Sequence, residues 1–469
     1  MEKTDLYGYV AAKIASAGQY SLNATRGPGG DYLKRRVYTK IERLADGFLK
    51  SKPQDRLVLL PGFRGVGKTT ILCQVYRHLT EDLRVDPKRV LLFSADESVE
   101  FIMAGIADVV KTYSEGFLRE TLAGFSQPTY VLIDEAHFDK RWGIGLKILY
   151  DNARSMFFLV TGSSALELGV SPDLARRALT VPVLPMDFAE HLMFKGADPG
   201  EADAADALLR GDAKGLWEGV MRTAASKGIR ADLEFREYLF SGGFPASMWS
   251  SRERTYDALF SSVERMVEKD MPSVRSFNTD TKPQITRIIH YLALQRPGGT
   301  SDAKLAEWLS VSSKSVRAIL DSLEKAHLVF SVKPYGGAAK RVRKAWRYYF
   351  LSPSVNAALR FRLGAYDEAD QDLYGILAEG MVAAALHKLQ EAGKLWLFYD
   401  PEKGGADFIA KTAGGAIAIE VGAAEKQAGQ LKASMSRYGC QRGILASGQD
   451  HVEKDGKVLK VPLQVFALV

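Results

Sequence analysis

Short apolar runs recur along the first third of the chain, each followed by polar or glycine-rich residues. The runs occupy residues 56–60, 90–94, 130–133 and 156–161. Their length and their flanks are typical of buried strands. The segments between them space apolar residues three and four apart, which is typical of helices. Because alternating strands and helices form a parallel sheet that binds ligands at the carboxyl ends of its strands, the pattern predicts an α/β domain of this kind.

The second half of the chain shows three further patterns. Residues 187–280 have the amphipathic spacing of successive helices. Residues 301–332 predict two short helices and a turn, the pattern of a helix-turn-helix, in which Ser312 or Ser313 can cap the second helix. The residues after 356 begin with a helical region and continue with strand-like runs, which predicts another α/β domain.

A glycine-rich segment follows the first apolar run and opens the next helical pattern. Its residues are Gly62, Phe63, Arg64, Gly65, Val66, Gly67, Lys68, Thr69 and Thr70. The spacing is that of a phosphate-binding loop, because glycines let consecutive backbone N–H groups close around β- and γ-phosphates at a helix N-terminus. Lys68 adds a point charge, and Thr69 can offer its hydroxyl to Mg²⁺. The segment therefore predicts binding of ATP with Mg²⁺.

Two carboxylates follow the third apolar run. Asp134 stands at the carboxyl end of the predicted strand, where it would hold Mg²⁺ through water, and Glu135 beside it would polarise the attacking water. Two adjacent like charges are unfavourable unless a cation offsets them, which favours this interpretation over a structural one. The fourth run is followed by Ser163, which is either a sensor of the γ-phosphate or a helix N-cap.

These motifs together resemble the AAA+ ATPases, and more narrowly the branch that includes archaeal origin-recognition proteins and the STAND signalling ATPases. The resemblance implies an arginine that reaches the γ-phosphate of a neighbouring subunit, with Arg177 as the first choice and Arg176 as the second. A solvated arginine pair is the alternative. Such an arginine requires a homo-oligomer, and a hexameric ring is expected. The resemblance also implies that Pro245 packs beside the adenine base in a helical lid, although a plain turn would use the same residues.

Basic residues are concentrated between residues 331 and 350, a stretch without an acidic residue. Glycines in this stretch predict a hairpin tip, and the return strand would carry Arg341, Arg343 and other cations into the wing of a winged helix. The second helix of the helix-turn-helix adds two cations spaced three apart on its outward face. The residues expected to contact DNA phosphates, with weak sequence preference, are Lys314, Arg317, Lys340, Arg341, Arg343 and Lys344. The alternatives are docking of a protein partner, an oligomer contact, and a charged strand that is only a solvated face.

Three acidic residues near the C-terminus resemble the PD-(D/E)XK restriction-endonuclease-like core. They are Glu379 in a helical region, Asp407 in one strand-like run and Glu420 in the next. The resemblance implies a site that gathers a divalent metal, but the position of the catalytic lysine, two residues after Glu420, holds Gly422. Without a cation there, charge on a scissile phosphate is hard to balance, so we expect a cleavage-incompetent relic unless Lys426 substitutes.

The order of these parts resembles a widespread group of prokaryotic AAA-type ATPases with a C-terminal domain of unknown function. The expected segments are an N-terminal arm (1–35), an AAA+ P-loop core (36–186), a helical lid (187–282), a winged helix (283–355) and a PD-(D/E)XK-like domain (356–469). The resulting prediction is an oligomeric Mg²⁺-dependent ATPase that binds DNA, with branched DNA as one candidate, and remodels or translocates it. A STAND-like switch acting on a protein partner and an ATP-gated defence nuclease are the alternatives.

Composition narrows the class of protein further. Hydrophobic residues make up 46% of the chain and charged residues 25%, as in globular domains. No apolar run has the length of a membrane span and the N-terminus lacks a signal-peptide core, so a cytoplasmic protein with no membrane partner is expected. The net charge of +7 favours polyanionic partners. Cys73 and Cys440 lie far apart, which predicts two core residues rather than a disulfide.

Overall fold

The computed structural model describes residues 3–27, 29–51, 55–124, 127–163, 172–200, 203–271, 281–423 and 427–469. They divide into two compact units. The first unit contains the described residues of Met1–Leu184 and Glu268–Ser276, and the second contains those of Pro185–Val267 and Phe277–Val469. Both cysteines are buried free thiols, as predicted.

The first unit is built on a parallel sheet. Its strands are β3 (Leu57–Pro61), β4 (Val90–Ser94), β5 (Thr129–Asp134), β6 (Met156–Gly162) and β7 (Leu179–Thr180), and a separate ribbon pairs β1 (Arg26–Gly27) with β2 (Gly30–Asp31). The sheet order is β4-β5-β6-β3-β7, and every neighbouring pair is parallel. All residues of β3, β5 and β6 are buried. The α/β core with a parallel sheet, predicted from the apolar runs, is therefore confirmed.

Helices cover this sheet. They are α1 (Lys3–Thr25), α2 (Arg36–Ser51), α3 (Lys68–Arg77), α4 (Ala95–Ile102), α5 (Ile106–Thr112), α6 (Trp142–Asn152) and α7 (Pro172–Ala175), with shorter helical turns at His78–Asp82, Pro87–Arg89, Tyr113–Leu118 and Ala136–Phe138. The helix α1 lies in the segment expected to be an N-terminal arm. Its Leu6 and Val10 are buried in the same apolar cluster as residues of β3 and β5, so α1 is part of the core of this unit.

The second unit begins with helices and continues with alternating helices and strands. Its helices are α8 (Phe188–Phe194), α9 (Ala204–Arg210), α10 (Lys214–Ser226), α11 (Ala231–Phe240), α12 (Arg252–Arg265), α13 (Thr281–Leu294), α14 (Asp302–Leu309), α15 (Ser313–Lys325), α16 (Ala338–Arg343), α17 (Pro353–Arg362), α18 (Gln371–Glu391), α19 (Gly429–Tyr438) and α20 (Leu463–Ala467). A 3-10 helix, Pro245–Met248, lies between α11 and α12. A π-helical turn, Met266–Asp270, follows α12, and its residues from Glu268 onward belong to the first unit. Ser312 caps α15 by accepting a hydrogen bond from the Ser315 amide, as predicted.

A mixed sheet runs through the second unit. Its strands are β8 (Gly299–Thr300), β9 (Val329–Pro334), β10 (Trp346–Phe350), β11 (Trp396–Tyr399), β12 (Phe408–Thr412), β13 (Gly415–Val421), β14 (Arg442–Ser447), β15 (Glu453–Asp455) and β16 (Val458–Pro462), in the order β15-β16-β14-β13-β12-β11-β9-β10-β8. β9 pairs antiparallel with β10 on one side and parallel with β11 on the other. The segment predicted as a winged helix and the C-terminal α/β segment therefore share one sheet, and α17 spans the boundary placed at residue 355.

The predicted path of the wing is wrong in one respect. Arg341 and Arg343 were placed on the return strand, but both belong to α16, and the strand β10 begins only at Trp346. The reason is local, because alanine, lysine and arginine are strong helix formers and Gly336, with φ of 144°, ends the preceding strand in a turn.

Candidate functional site

The glycine-rich loop between β3 and α3 requires its glycines. Gly65 and Gly67 have φ of 88° and 97°, in the region that side chains disfavour. At Gly62 a Cβ atom would lie 2.3 Å from the carbonyl oxygen of Val183. Gly67 precedes the first residue of α3, so the backbone N–H groups at the end of the loop lie at the N-terminus of that helix. This cradle fits a chain of phosphates.

Lys68 points back into the loop. Its ammonium donates to the carbonyl oxygens of Gly62 and Phe63, at 2.8 and 3.1 Å, and the residue is only 5% exposed. Val66 is buried, whereas Arg64 and Thr70 are half-buried. The positive charge is therefore held inside the curve of the loop rather than in solvent.

Two threonines orient Asp134 at the carboxyl edge of the sheet. The Thr69 hydroxyl donates to Asp134 Oδ2 at 2.7 Å, and the Thr161 hydroxyl donates to Asp134 Oδ1. Thr161 stands on β6, between the strand of Asp134 and the strand that leads into the loop. A carboxylate and a hydroxyl side by side are ligands that Mg²⁺ prefers, directly or through water. The sequence predicted Thr69 and Asp134 here but missed Thr161.

Glu135 occupies a constrained position beside Asp134. Its φ is 50°, in the left-handed region, and its amide lies 3.2 Å from both Asp134 Oδ1 and Thr161 Oγ1. Arg64 lies 3.5 Å from one carboxylate oxygen and His137 lies 3.3 Å from the other. Burial raises the pKa of Glu135 and the Asp134 charge adds to the rise, while the Lys68 and Arg64 charges oppose it.

Ser163 was predicted as a sensor at the end of β6. Its backbone amide lies 3.3 Å from His137 Nδ1, and its buried hydroxyl has no hydrogen-bond partner among the described residues. The hydroxyl that reaches Asp134 is that of Thr161. A sensor role for Ser163 stays a prediction, and the residues that immediately follow it lie outside the described part of the chain.

Arg35 braces the loop from the N-terminal segment. The buried guanidinium donates to the carbonyl oxygen of Val66 at 2.7 Å and to that of Leu184 at 3.0 Å. A buried arginine that satisfies two backbone acceptors fixes the loop against the end of the first unit. No role for Arg35 could be predicted, because one cation among several near the N-terminus has no distinguishing pattern.

The two arginines predicted to reach the γ-phosphate of a neighbouring subunit differ in their surroundings. Arg177 donates to both oxygens of Asp151, at 2.7 and 3.2 Å, and to the carbonyl oxygen of Asp173. The Arg176 side chain is 79% exposed and approaches Asp173 only to 3.9 Å. Arg177 is therefore hydrogen-bonded within its own chain, whereas Arg176 extends into solvent.

Pro245 opens the short 3-10 helix of the second unit. The glycines before it are tightly packed: a Cβ atom on Gly242 would lie 2.5 Å from the Tyr238 Cα, and one on Gly243 would lie 2.7 Å from the Ser352 hydroxyl. This turn has a structural reason for its glycines, and contact of Pro245 with a base stays a prediction.

The predicted DNA-contacting cations fall into two groups. Lys314 and Lys344 are exposed. Arg317 pairs with Asp302 at 2.6 Å, Lys340 pairs with Glu402 at 2.6 Å, and Arg341 stacks over the Phe398 ring at 4.5 Å. The side chain of Arg343 lies outside the described part of the chain. Arg317 and Lys340 therefore have part of their charge neutralised by acidic residues of the protein itself.

The acidic residues of the C-terminal segment make protein contacts. Glu379 accepts from the Tyr349 hydroxyl at 2.8 Å, Asp407 accepts from the Val421 amide at 2.8 Å, and Glu420 is fully buried. Arg347 lies 4.0 Å from Glu379 and donates to the Asp407 carbonyl oxygen at 3.3 Å. No group of three or more acidic, histidine or cysteine residues suited to a metal occurs within the described ranges. Lys426 lies outside them.

Comparison with known proteins places the chain in a class. A family model described as an AAA domain matches residues 54–192, and a model described as a domain of unknown function, DUF8612, matches residues 232–366. The chain resembles the Walker-type ATPase PABY2304 of Pyrococcus abyssi, with 16% identity, a TM-score of 0.39 and coverage of 72% of this chain and 97% of that one. It also resembles the ORC2 protein of Aeropyrum pernix, with 14% identity, a TM-score of 0.36 and coverage of 71% and 99%.

The AAA-domain match, the parallel sheet and the loop around Lys68 define an AAA-type P-loop ATPase. Within that class the family is also defined. The chain belongs to the family of uncharacterized protein MJ1637 of Methanocaldococcus jannaschii, to which it is 32% identical over 437 residues, or 93% of this chain and 89% of that protein. None of the described helices combines the length and the apolar character that a bilayer span requires.

Proposed function

We propose that this protein is an oligomeric Mg²⁺-dependent ATPase that binds DNA and uses ATP hydrolysis to remodel or move it. The observation that supports hydrolysis most directly is the cluster at the carboxyl edge of the first sheet. There Thr69, Asp134 and Glu135 lie beside the phosphate cradle that holds Lys68.

Each residue of this cluster has a distinct role in the proposed reaction. Thr69 and Asp134 would hold Mg²⁺, which supplies positive charge against the phosphate oxygens. The loop amides and Lys68 hold the β- and γ-phosphates in place. Glu135 accepts a proton from the attacking water, or orients it, from the side of the sheet edge. Thr161 keeps the Asp134 carboxylate turned toward Thr69.

The second unit supports the DNA-binding part of the proposal. α13, α14 and α15 accompany the antiparallel strands β8, β10 and β9, in the element order of a winged helix. Lys314 is exposed at the N-terminal end of α15, and Lys344 is exposed between α16 and β10. Both can contact backbone phosphates, which predicts weak sequence preference and strong salt dependence.

ATPase rates measured without DNA and with single strands, duplexes and branched junctions test this function. We expect DNA to stimulate the rate, and the charge reversals Lys314→Glu with Lys344→Glu to remove the stimulation while basal hydrolysis persists. Higher salt should also reduce the stimulation, because binding that releases counterions from DNA weakens as salt rises. The variants should show a shallower salt dependence, by about one counterion for each lost phosphate contact.

The matched control reverses two exposed lysines of the same unit, Lys214→Glu with Lys227→Glu, for the same change in net charge. Stimulation should survive in this control. Very slow hydrolysis that no DNA stimulates would contradict the proposed remodelling or movement of DNA and would favour a nucleotide-controlled switch. Stimulation by branched DNA alone would define the substrate as a junction.

The arginine pair after α7 supports an oligomer in which one chain completes the site of the next. Arg176 extends into solvent, and Arg177 could exchange Asp151 for a phosphate across an interface. We expect Arg176→Ala with Arg177→Ala to slow hydrolysis roughly tenfold or more, because the phosphate being transferred loses the positive charge that the neighbouring chain supplies.

A mixing experiment distinguishes this role from a structural one. The double arginine variant keeps its own loop, whereas Lys68→Ala keeps the arginines. Mixing these two impaired chains should therefore recover activity if the arginines act in trans. Arg154→Ala, an exposed arginine of the same unit, serves as the control. A mixture no more active than its separate components would argue against an arginine that acts on the site of a neighbouring chain.

A further inference from the structure

A buried histidine connects Glu135 to the end of the neighbouring strand. His137 Nδ1 lies 3.3 Å from the Ser163 amide nitrogen and 3.3 Å from Glu135 Oε2. The residue is 6% exposed, and its ring packs on Phe138 with centroids 4.7 Å apart. One ring nitrogen is therefore within reach of both the strand that follows the site and the carboxylate beside Asp134.

A single imidazole nitrogen can serve only one of these contacts at a time, since Nδ1 has either one lone pair or one proton. A backbone amide can only donate, so the contact with Ser163 requires Nδ1 to accept. Held in that way, the ring borders one side of the Glu135 carboxylate, and Arg64 borders the other side at 3.5 Å. The carboxylate has little freedom to rotate away.

The backbone of Glu135 is attached to the same strand. Its amide lies 3.2 Å from the Thr161 hydroxyl, on β6, while its side chain contacts His137, which is anchored at Ser163 just after β6. Backbone and side chain thus take their positions from one end of one strand. This arrangement fixes a carboxylate in a way that the left-handed backbone of Glu135 alone would not.

We propose that His137 is a positioning residue: it accepts a hydrogen bond from the Ser163 amide, which fixes its ring beside Glu135, and the ring limits rotation of the carboxylate that faces the attacking water. The inference rests on the proposed ATPase function. The alternative is a histidine that only fills space against Phe138. In the first account the rate of hydrolysis depends on the acceptor atom Nδ1, and in the second only the volume of the ring matters, for packing.

Three substitutions separate the accounts. Asparagine at this position places an amide oxygen near the site of Nδ1, so His137→Asn keeps the acceptor for the Ser163 amide. Phenylalanine keeps a ring but has no acceptor, and alanine removes both. We expect His137→Phe and His137→Ala to lower kcat about tenfold to 100-fold, with KM for ATP and nucleotide affinity within about twofold, because misplaced catalytic groups cost rate rather than binding. His137→Asn should retain kcat within about threefold of the parent.

Thermal unfolding of each variant shows whether the fold is intact, and a double variant adds a test that does not depend on packing. In a Glu135→Gln background, His137→Ala should cause no further loss of the residual rate, because a positioning residue has nothing left to position. A folded His137→Phe variant with normal kcat, an Asn variant as slow as Phe, or a loss confined to KM would each overturn the inference. A parent protein that hydrolyses no ATP would instead refute the proposed function itself.

Discussion

Replacing Lys68 by alanine is expected to abolish nucleotide binding and to lower ATP hydrolysis at least about 100-fold. Lys68 is the buried cation inside the loop, where its ammonium is held by two carbonyl oxygens until phosphate oxygens replace them. Without it, the phosphates lose the buried positive charge of the loop and keep only its backbone amides on that side. Nucleotide affinity by calorimetry and steady-state hydrolysis measure the two effects.

A control for this variant is Lys147→Ala. Lys147 is a partly exposed lysine of the same unit that pairs with Asp173 at 3.0 Å, so its removal changes the charge by the same amount outside the loop. We expect it to bind nucleotide normally. Binding by the Lys68 variant at the affinity of the parent would contradict the assignment of the loop as the phosphate site.

The sheet and the loop of the first unit could be predicted because each leaves a local pattern. Strands buried on both faces must be apolar throughout, and a loop that wraps phosphates must place glycines where side chains do not fit, as at Gly62, Gly65 and Gly67. Asp134 was recognisable because two carboxylates at the end of such a run have a clear chemical purpose. None of these inferences needs knowledge of which strands are neighbours.

The missed residues all depend on long-range neighbours. Thr161 reaches Asp134 only because β6 lies between β5 and β3, an order that the sequence does not contain. Arg35 acts on a loop 31 positions away, and His137 on a serine 26 positions away. The helix α1 was missed for a different reason: alanine and glycine fill much of it, so its apolar stripe is weak although Leu6 and Val10 are buried.

In the second unit, the local sequence of charged residues did not indicate which cations are paired in the structure, whereas apolar runs did indicate strands in the first unit. Arg347 was one of the cations in the basic stretch, but it lies against Glu379 and Asp407, over the Tyr399 ring. Lys340 likewise pairs with Glu402. The acidic partners come from α18 and from the loop between β11 and β12, so a run without acidic residues in sequence is not a run without acidic neighbours in space.

Substituting glutamine for Glu135 is expected to leave nucleotide binding almost unchanged and to slow hydrolysis about 10²- to 10⁴-fold. Glutamine has nearly the same shape, so the contacts of Asp134 with Thr69 and Thr161 should persist. What is lost is the carboxylate that accepts the proton of the attacking water. Single-turnover hydrolysis, measured with nucleotide binding on the same preparation, separates the two effects.

Glu100→Gln, an exposed glutamate on α4, is the matched control and should hydrolyse ATP normally. The contrast between Lys68→Ala and Glu135→Gln carries the argument further than either variant alone. If the cradle and the carboxylate have separate roles, the first variant loses binding, whereas the second stays loaded with nucleotide and fails only in chemistry. A Glu135→Gln protein that turns over at the parent rate would assign the water-directing role to another residue, and one that no longer binds nucleotide would make Glu135 part of the cradle.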